Sequence, residues 1–139
     1  MEFLALEDVL ALHAESIARF GGALGVRDVG LIVSAIAMAQ ASMFGEYLHA
    51  TLEEQASAYL FHIVQNHPFR DGSKRAGLAA ALTFLGLNGR RIVATNEELV
   101  DVTLGVASGR TTKSMVAVFF REHLRRRRPR PRPSRSFSK

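Results

Sequence analysis

Residues 76–87, AGLAAALTFLGL, form a run that is apolar on nearly every side of a helix: Leu78, Ala79, Ala80, Ala81, Leu82, Phe84, Leu85 and Leu87 leave no polar stripe for water. A helix of that kind belongs at the centre of a bundle, with other helices on all its flanks. The same run is preceded without a break by His67 to Arg75, HPFRDGSKR, which places an imidazole, a carboxylate, three cations, a hydroxyl and a glycine in nine residues. Together the two stretches require a buried helix whose N-terminus opens onto a dense polar loop.

The rest of the chain is patterned to supply the surrounding helices, and no persistent period-two alternation argues for a sheet. Leu6, Val9, Leu10, Leu12, Ile17 and Phe20 follow helical spacing until Gly21 and Gly22. Asp28 can cap a second helix reaching about Ala41, with Leu31, Ile32, Ala35, Ile36 and Ala39 inward. Thr51 with Glu54, and Thr95 with Glu98, are capping boxes that start helices ending near Asn66 and Ser108. A last helix is predicted from about Thr112, carrying Met115, Val116, Val118, Phe119, Phe120 and Leu124. Residues 42–50, SMFGEYLHA, form a short connection that is either a strand-like flap or a plain loop. The fold class predicted is all-α, a compact bundle of about six helices in one domain over residues 1–124, with the polar loop at the N-terminus of the central helix.

Charge divides the chain in two. The formal net charge is +5, yet residues 125–139 (RRRRPRPRPSRSFSK) hold eight of the eighteen basic residues and no acid, so residues 1–124 carry ten basic against thirteen acidic groups. A basic, proline-rich, apolar-poor segment cannot bury enough surface to offset its ordering entropy, so residues 125–139 are expected to be a disordered tail, touching nucleic acid only weakly. The chain has no cysteine, which fits a reducing compartment. It also has no basic leader before an apolar stretch and no apolar run of about 18 residues. A cytoplasmic protein without a membrane partner is expected.

The loop reads as a site for phosphate chemistry. Pro68 biases His67 out of the helical region and ends the preceding helix there. An imidazole that is largely neutral at pH 7 can take a proton from a hydroxyl, the work of a general base. Asp71 can hold magnesium, which is bound by one or two carboxylates together with substrate phosphates. Gly72 and Ser73 open the next helix, whose first N–H groups lack intrahelical partners and carry the positive end of the dipole. With Ser73, Lys74 and Arg75 these amides can hold phosphoryl oxygens. Phe69 faces the other way as the apolar anchor of the loop. The parts suit phosphoryl or nucleotidyl transfer to a protein hydroxyl; taken singly, each has an ordinary structural use, Asp71 as a helix cap and Lys74 and Arg75 as solvated charges. His13, His49, His62 and His123 show no metal-ligand spacing and are read as structural.

HPFRDGSKR resembles the signature loop of the Fic/Doc superfamily, H-x-F-x-[DE]-G-N-G-R-x-x-R in the Fic adenylyltransferases and H-x-F-x-[DN]-[AG]-N-K-R in the death-on-curing (Doc) toxins. The similarity extends over about residues 3–124 through LEDVLALHAESIARFGG, SMFGEYL, TFLGLNGRRI and VDVTLGVASGR. Lys74 stands where Fic enzymes keep a glycine and Leu78 where they keep a second arginine, both as in Doc. The resemblance implies the toxin of a type II toxin-antitoxin pair: a protein kinase that uses ATP and Mg2+ to transfer the γ-phosphate to a threonine or serine hydroxyl of a translation protein, elongation factor Tu in the first place. It further implies a cognate antitoxin whose C-terminal segment covers the active-site groove. On this reading His67 is the base, Asp71 the magnesium ligand, Gly72, Ser73, Lys74 and Arg75 hold phosphate, and a flap at Phe44, Gly45, Tyr47 and Leu48 positions the target peptide. The alternatives are a Fic-type adenylyltransferase and a weakened module that mainly binds antitoxin or nucleic acid. Two positions depart from the family: Ser73 replaces the motif asparagine, and Ala79 stands where Doc relatives often carry asparagine.

Overall fold

The computed structural model describes residues 1–126. Six helices follow one another: α1 (Leu6–Phe20), α2 (Val29–Gln40), α3 (Leu52–Asn66), α4 (Ser73–Leu87), α5 (Asn96–Ala107) and α6 (Lys113–His123). Two small antiparallel ribbons accompany them, β1 (Ser42–Met43) with β2 (Glu46–Tyr47), and β3 (Arg90–Ile92) with β4 (Leu124–Arg126). The helix starts come from local chemistry. Asp28 accepts the Gly30 N–H, and the Thr51, Thr95 and Thr112 hydroxyls accept the N–H groups of Glu54, Glu98 and Met115. Of the two threonine boxes only that at Thr95 is reciprocal, with the Glu98 carboxylate accepting the Thr95 N–H; at Thr51 the Glu54 carboxylate accepts a hydrogen bond from the Thr51 hydroxyl instead.

The centre of the bundle is shared by α4 and α3. In α4 the buried residues are Ser73, Ala76, Gly77, Ala80, Ala81, Phe84 and Leu85, while Leu87 stays exposed. In α3 an unbroken run from Gln55 to Leu60 is buried, together with Ile63 and Val64. The two helices approach closely because Gly77 has no side chain: a Cβ there would lie 2.8 Å from Val64 Cγ2 and 3.2 Å from the Leu60 carbonyl oxygen. Tyr59 and Phe84 meet at 5.1 Å between ring centroids, and each buried large apolar side chain contributes about 1.5–3 kcal/mol. The Tyr59 hydroxyl also accepts the Leu4 N–H at 2.9 Å, pinning the N-terminal segment over the core. Phe3, next to it, stacks on Phe84 and meets Tyr47 edge-on, tying the β1–β2 hairpin to the centre.

Residues 42–50 are therefore a flap with strands rather than a plain loop, and the link after α4 is a strand as well. The domain was expected to end at 124, but β4 runs on through Arg125 and Arg126, which lie opposite Arg91 and Arg90 in register. Periodicity could not show these ribbons, because strands of two or three residues contain no full alternation. The expected disorder of the tail otherwise falls on residues 127–139, outside the described residues.

Candidate active site

The site lies where α3 ends and α4 begins. His67 caps α3 in the left-handed conformation, φ 52° and ψ 53°, a region where histidine is among the better tolerated side chains. This sharp turn ends the helix and leaves the imidazole exposed. Arg27 fixes the turn from outside: its Nε donates to the His67 carbonyl at 2.7 Å and its Nη2 to that of Asn66 at 2.8 Å, two of the carbonyls that a helix C-terminus leaves without partners. The segment before α2 then runs along the loop like a short strand, with Arg27 and Asp28 N–H groups on the Pro68 carbonyl, an isolated bridge between Val26 and Phe69, and the Arg70 N–H on the Gly25 carbonyl.

Beneath the loop sits His13, on α1 and only 3% exposed. Its ring lies parallel to Phe69 at 3.7 Å between centroids, and its Nε2 is 2.6 Å from the Asp71 carbonyl oxygen. A carbonyl can only accept, so Nε2 carries the proton. Gly72 makes room for this arrangement: its φ is +79°, and a Cβ would press on Ile17, Arg75 and His13 Nε2 at 3.2–3.4 Å. Sequence reading set His13 aside as structural and gave Arg27 no role. The only signal for His13 was a histidine among the inward positions of α1; Arg27 belongs to a loop of no periodicity.

From this base the loop side chains reach one groove of about 360 Å³, lined by His67, Arg70, Asp71, Gly72, Ser73, Lys74 and Arg75. Every loop residue assigned to the chemistry is there, and Arg70 joins them. Phe69 is 2% exposed and lies against the His13 ring. Three residues hold narrower positions than the sequence suggested. The Ser73 hydroxyl is buried and accepts the Phe69 N–H at 3.3 Å, so it clasps the loop as well as lining the groove. Arg75 donates from Nη2 to the Gly21 carbonyl at 2.8 Å and lies over Phe20, which leaves Lys74 the freer of the two cations. Asp71 accepts the Ala23 N–H on Oδ2 at 3.2 Å and faces the groove with its other oxygen available. The amides of Ser73, Lys74 and Arg75 open α4 without intrahelical partners, a positive end beside exposed His67 and Asp71.

The flap stands apart from the groove walls, since none of Phe44, Gly45, Tyr47 or Leu48 lines it. Its turn is strained. Phe44 and Gly45 both have positive φ, 52° and 82°, the two-residue hairpin geometry that ordinarily takes Asn-Gly. Phe44 is also 98% exposed. A strained, fully exposed phenylalanine is a poor choice for stability and a suitable one for gripping a partner.

Among the described residues, no three His, Cys, Asp or Glu side chains are grouped to hold a metal, and no helix is long and apolar enough to cross a membrane. One further titratable group lies on the far side of α3. The His62 Nε2 accepts from Lys113 Nζ at 3.2 Å; burial first, then the charge of Lys113 and the neighbouring His49, push its pKa down to about 4.

A family description, the Fic/DOC family, matches residues 3–85. The chain is 46% identical over 93 residues to a protein named Toxin Doc from Mycolicibacterium smegmatis, covering 67% of this chain and 69% of that one. It is 36% identical over 117 residues to a protein named Protein kinase doc from Escherichia phage P1, covering 84% of this chain and 91% of the relative. A helical bundle with the signature loop held between α3 and α4, and sequence likeness across the loop and its supporting helices, agree: the chain belongs to the Fic/Doc family.

Proposed function

We propose that the protein is the toxin of a toxin-antitoxin pair and acts as a protein kinase, transferring the γ-phosphate of ATP to a threonine or serine hydroxyl of a translation protein such as elongation factor Tu. The observation that carries this reading is the single groove in which an exposed imidazole, a carboxylate, Lys74 and the unpaired amides of a helix N-terminus converge. The names of the two relatives, a toxin and a protein kinase, support it.

The residues divide the work as follows. His67 takes the proton of the target hydroxyl, whose oxygen forms the new bond to the γ-phosphorus as the bond to the β–γ bridging oxygen breaks and ADP departs. The transferred group carries its charge on its equatorial oxygens, and the amides of Ser73 and Lys74, the Lys74 ammonium and the remaining donors of Arg75 face that charge from fixed positions. Asp71 fits magnesium: a carboxylate in the groove beside a phosphate-holding helix end suits an ion that keeps waters and takes substrate phosphates, and magnesium bound there would neutralise phosphate charge. The flap, with Phe44 at its tip, holds the target chain. Leu78 lines an apolar wall where an adenylyltransferase of the family would keep its second arginine, and this favours phosphate transfer over nucleotidyl transfer. A cognate antitoxin silences the protein by covering the groove, and the cytoplasm, where translation occurs, is the working compartment.

Expression in a bacterial host tests this reading. The wild type should arrest growth, whereas His67→Ala and Asp71→Ala, both changes of exposed side chains, should fold normally and permit growth. Arrest by both folded variants would rule out the assignment.

A further inference from the structure

The β3–β4 ribbon carries arginine at most of its positions, Arg90 and Arg91 on one strand, Arg125 and Arg126 on the other. They are paired by like charge. Arg91 lies opposite Arg125 and Arg90 opposite Arg126, and like charges directly across a ladder destabilise it. The ribbon is held by its remaining pair, Ile92 with Leu124, which packs against the hydrophobic core, and by the Val93 N–H on the His123 carbonyl at 2.9 Å. Side chains alternate between the faces of a strand, so Ile92 and Leu124 turn one face to the bundle while Arg91 and Arg125, both exposed, stand on the other. Among the described residues the ion pairs are those of Arg110, Arg121 and His123. None of the ribbon arginines has a carboxylate; Arg90 and Arg125 reach only the carbonyls of Gly89 and Leu124.

We infer that this ribbon is a docking surface for double-stranded DNA, held through the phosphate backbone. Cations fixed in register on an anchored ribbon, with no internal anions to neutralise them, are complementary to a polymer that carries a negative charge about every 1.7 Å of its axis. The concentration of charge is local. Besides Arg90 and Arg91, residues 1–124 hold eight basic groups against thirteen acidic ones, whereas six more basic residues follow β4 in the sequence between 127 and 139. A polyanion is therefore drawn to this end of the chain and repelled by the net acidic remainder. Shape then selects the polyanion. Strands about 4.8 Å apart make a ribbon that the major groove of B-form DNA, about 12 Å wide, admits, whereas the major groove of A-form RNA is too deep and narrow for side chains to read. Single strands are gripped by stacking on aromatic rings, and the ribbon, RRI with LRR, has none. Docking there leaves the catalytic groove open: β3 follows the C-terminus of α4, whose 15 residues place it about 22 Å from the helix end that lines the groove. The inference is independent of the kinase reading.

Fluorescence anisotropy of a labelled mixed-sequence DNA duplex of about 20 base pairs, titrated with the full chain from about 50 to 200 mM salt, tests the inference. The wild type should bind with a Kd of about 1–100 µM at physiological salt, and a matching RNA duplex should bind at least about threefold more weakly. Replacing Arg90, Arg91, Arg125 and Arg126 together by glutamine should flatten the slope of log affinity against log salt by about 0.9 for each lost phosphate contact, or about 3–4 in all. It should weaken binding at least about tenfold, and keep or raise Tm, because the like-charge pairs are gone. The same positions changed to lysine, which keeps the charge, should retain most of the wild-type slope. A glutamine variant with the wild-type slope, a lysine variant as flat as the glutamine one, an RNA duplex bound as tightly as the DNA, or a folded wild type that does not bind DNA at about 50 mM salt would each overturn the inference.

Discussion

His13→Ala is the perturbation that most sharply separates support of the loop from catalysis itself. The change removes a donor 2.6 Å from the Asp71 carbonyl and a ring stacked 3.7 Å from Phe69. Losing the hydrogen bond costs about 0.5–1.5 kcal/mol and losing the ring pair about as much, for roughly 2 kcal/mol in total. A domain of this size should then lose roughly 5–10 °C in Tm while remaining folded at 25 °C. The kinetic effect should exceed the effect on binding: Asp71 and the amides that follow it are placed by this contact, and a shift of about 1 Å in reacting groups can cost about 10² in rate. The expected result is a 10- to 100-fold fall in kcat, with KM for ATP changed less than about threefold. His13→Gln, which can return a donor to the Asp71 carbonyl without the stacked ring, should recover most of kcat but little of the lost stability. Initial rates of target phosphorylation and thermal denaturation of the three proteins decide the matter. An alanine variant with undiminished kcat, or a glutamine variant no better than alanine in rate, would refute the argument that this hydrogen bond positions the loop.

Phe44→Asn replaces a strained turn residue by one suited to positive φ, so it should raise stability by about 0.5–1 kcal/mol while raising KM for the target protein severalfold; a target KM that stays the same would remove the flap from substrate binding. Arg27→Ala should lower the urea midpoint by an amount equivalent to about 1 kcal/mol, and Arg27→Lys should restore little of it, since an ammonium cannot span two carbonyls as the guanidinium fork does; equal midpoints for lysine and wild type would contradict the capping role. For pH, the folded-state pKa of His62 lies near 4, below the ordinary 6.5, so the unfolded chain binds the extra proton and stability falls as pH drops from about 6.5 to 4. After allowance for water's screening of a partly exposed ring the loss is about 1.5 kcal/mol, and His62→Gln should flatten the Tm profile across that window; an unchanged slope would show that His62 is not its source.

Much of this was legible in the sequence because the decisive signals are local. Each of the six helices begins or ends at a residue that the chain marks openly: Asp28, Thr51, Thr95 and Thr112 at starts, Gly21, Gly89 and Gly109 near stops. The loop is likewise contiguous, so His67 and the residues from Asp71 to Arg75 could be named together without knowledge of the fold. What escaped reading came from contacts over long separations. His13 is 58 positions from Asp71, and Arg27 is 40 from His67; nothing in either neighbourhood marks the partner. Arg70 went unassigned because its place in the groove depends on the strand-like pairing of Arg70 with Gly25. The inward reading of α1 failed at Phe20, which is 68% exposed and serves as a platform for Arg75, a use that helical periodicity does not reveal.

The central claim is transfer of a phosphoryl group with His67 as the base, and the most direct test is the intact mass of purified elongation factor Tu after incubation with the protein, ATP and Mg2+. The account predicts the addition of one phosphoryl group with ADP as the co-product, and no addition with the folded His67→Ala variant. Addition of an adenylyl group with release of pyrophosphate, or an unmodified factor in the presence of folded wild type that binds ATP, would contradict it.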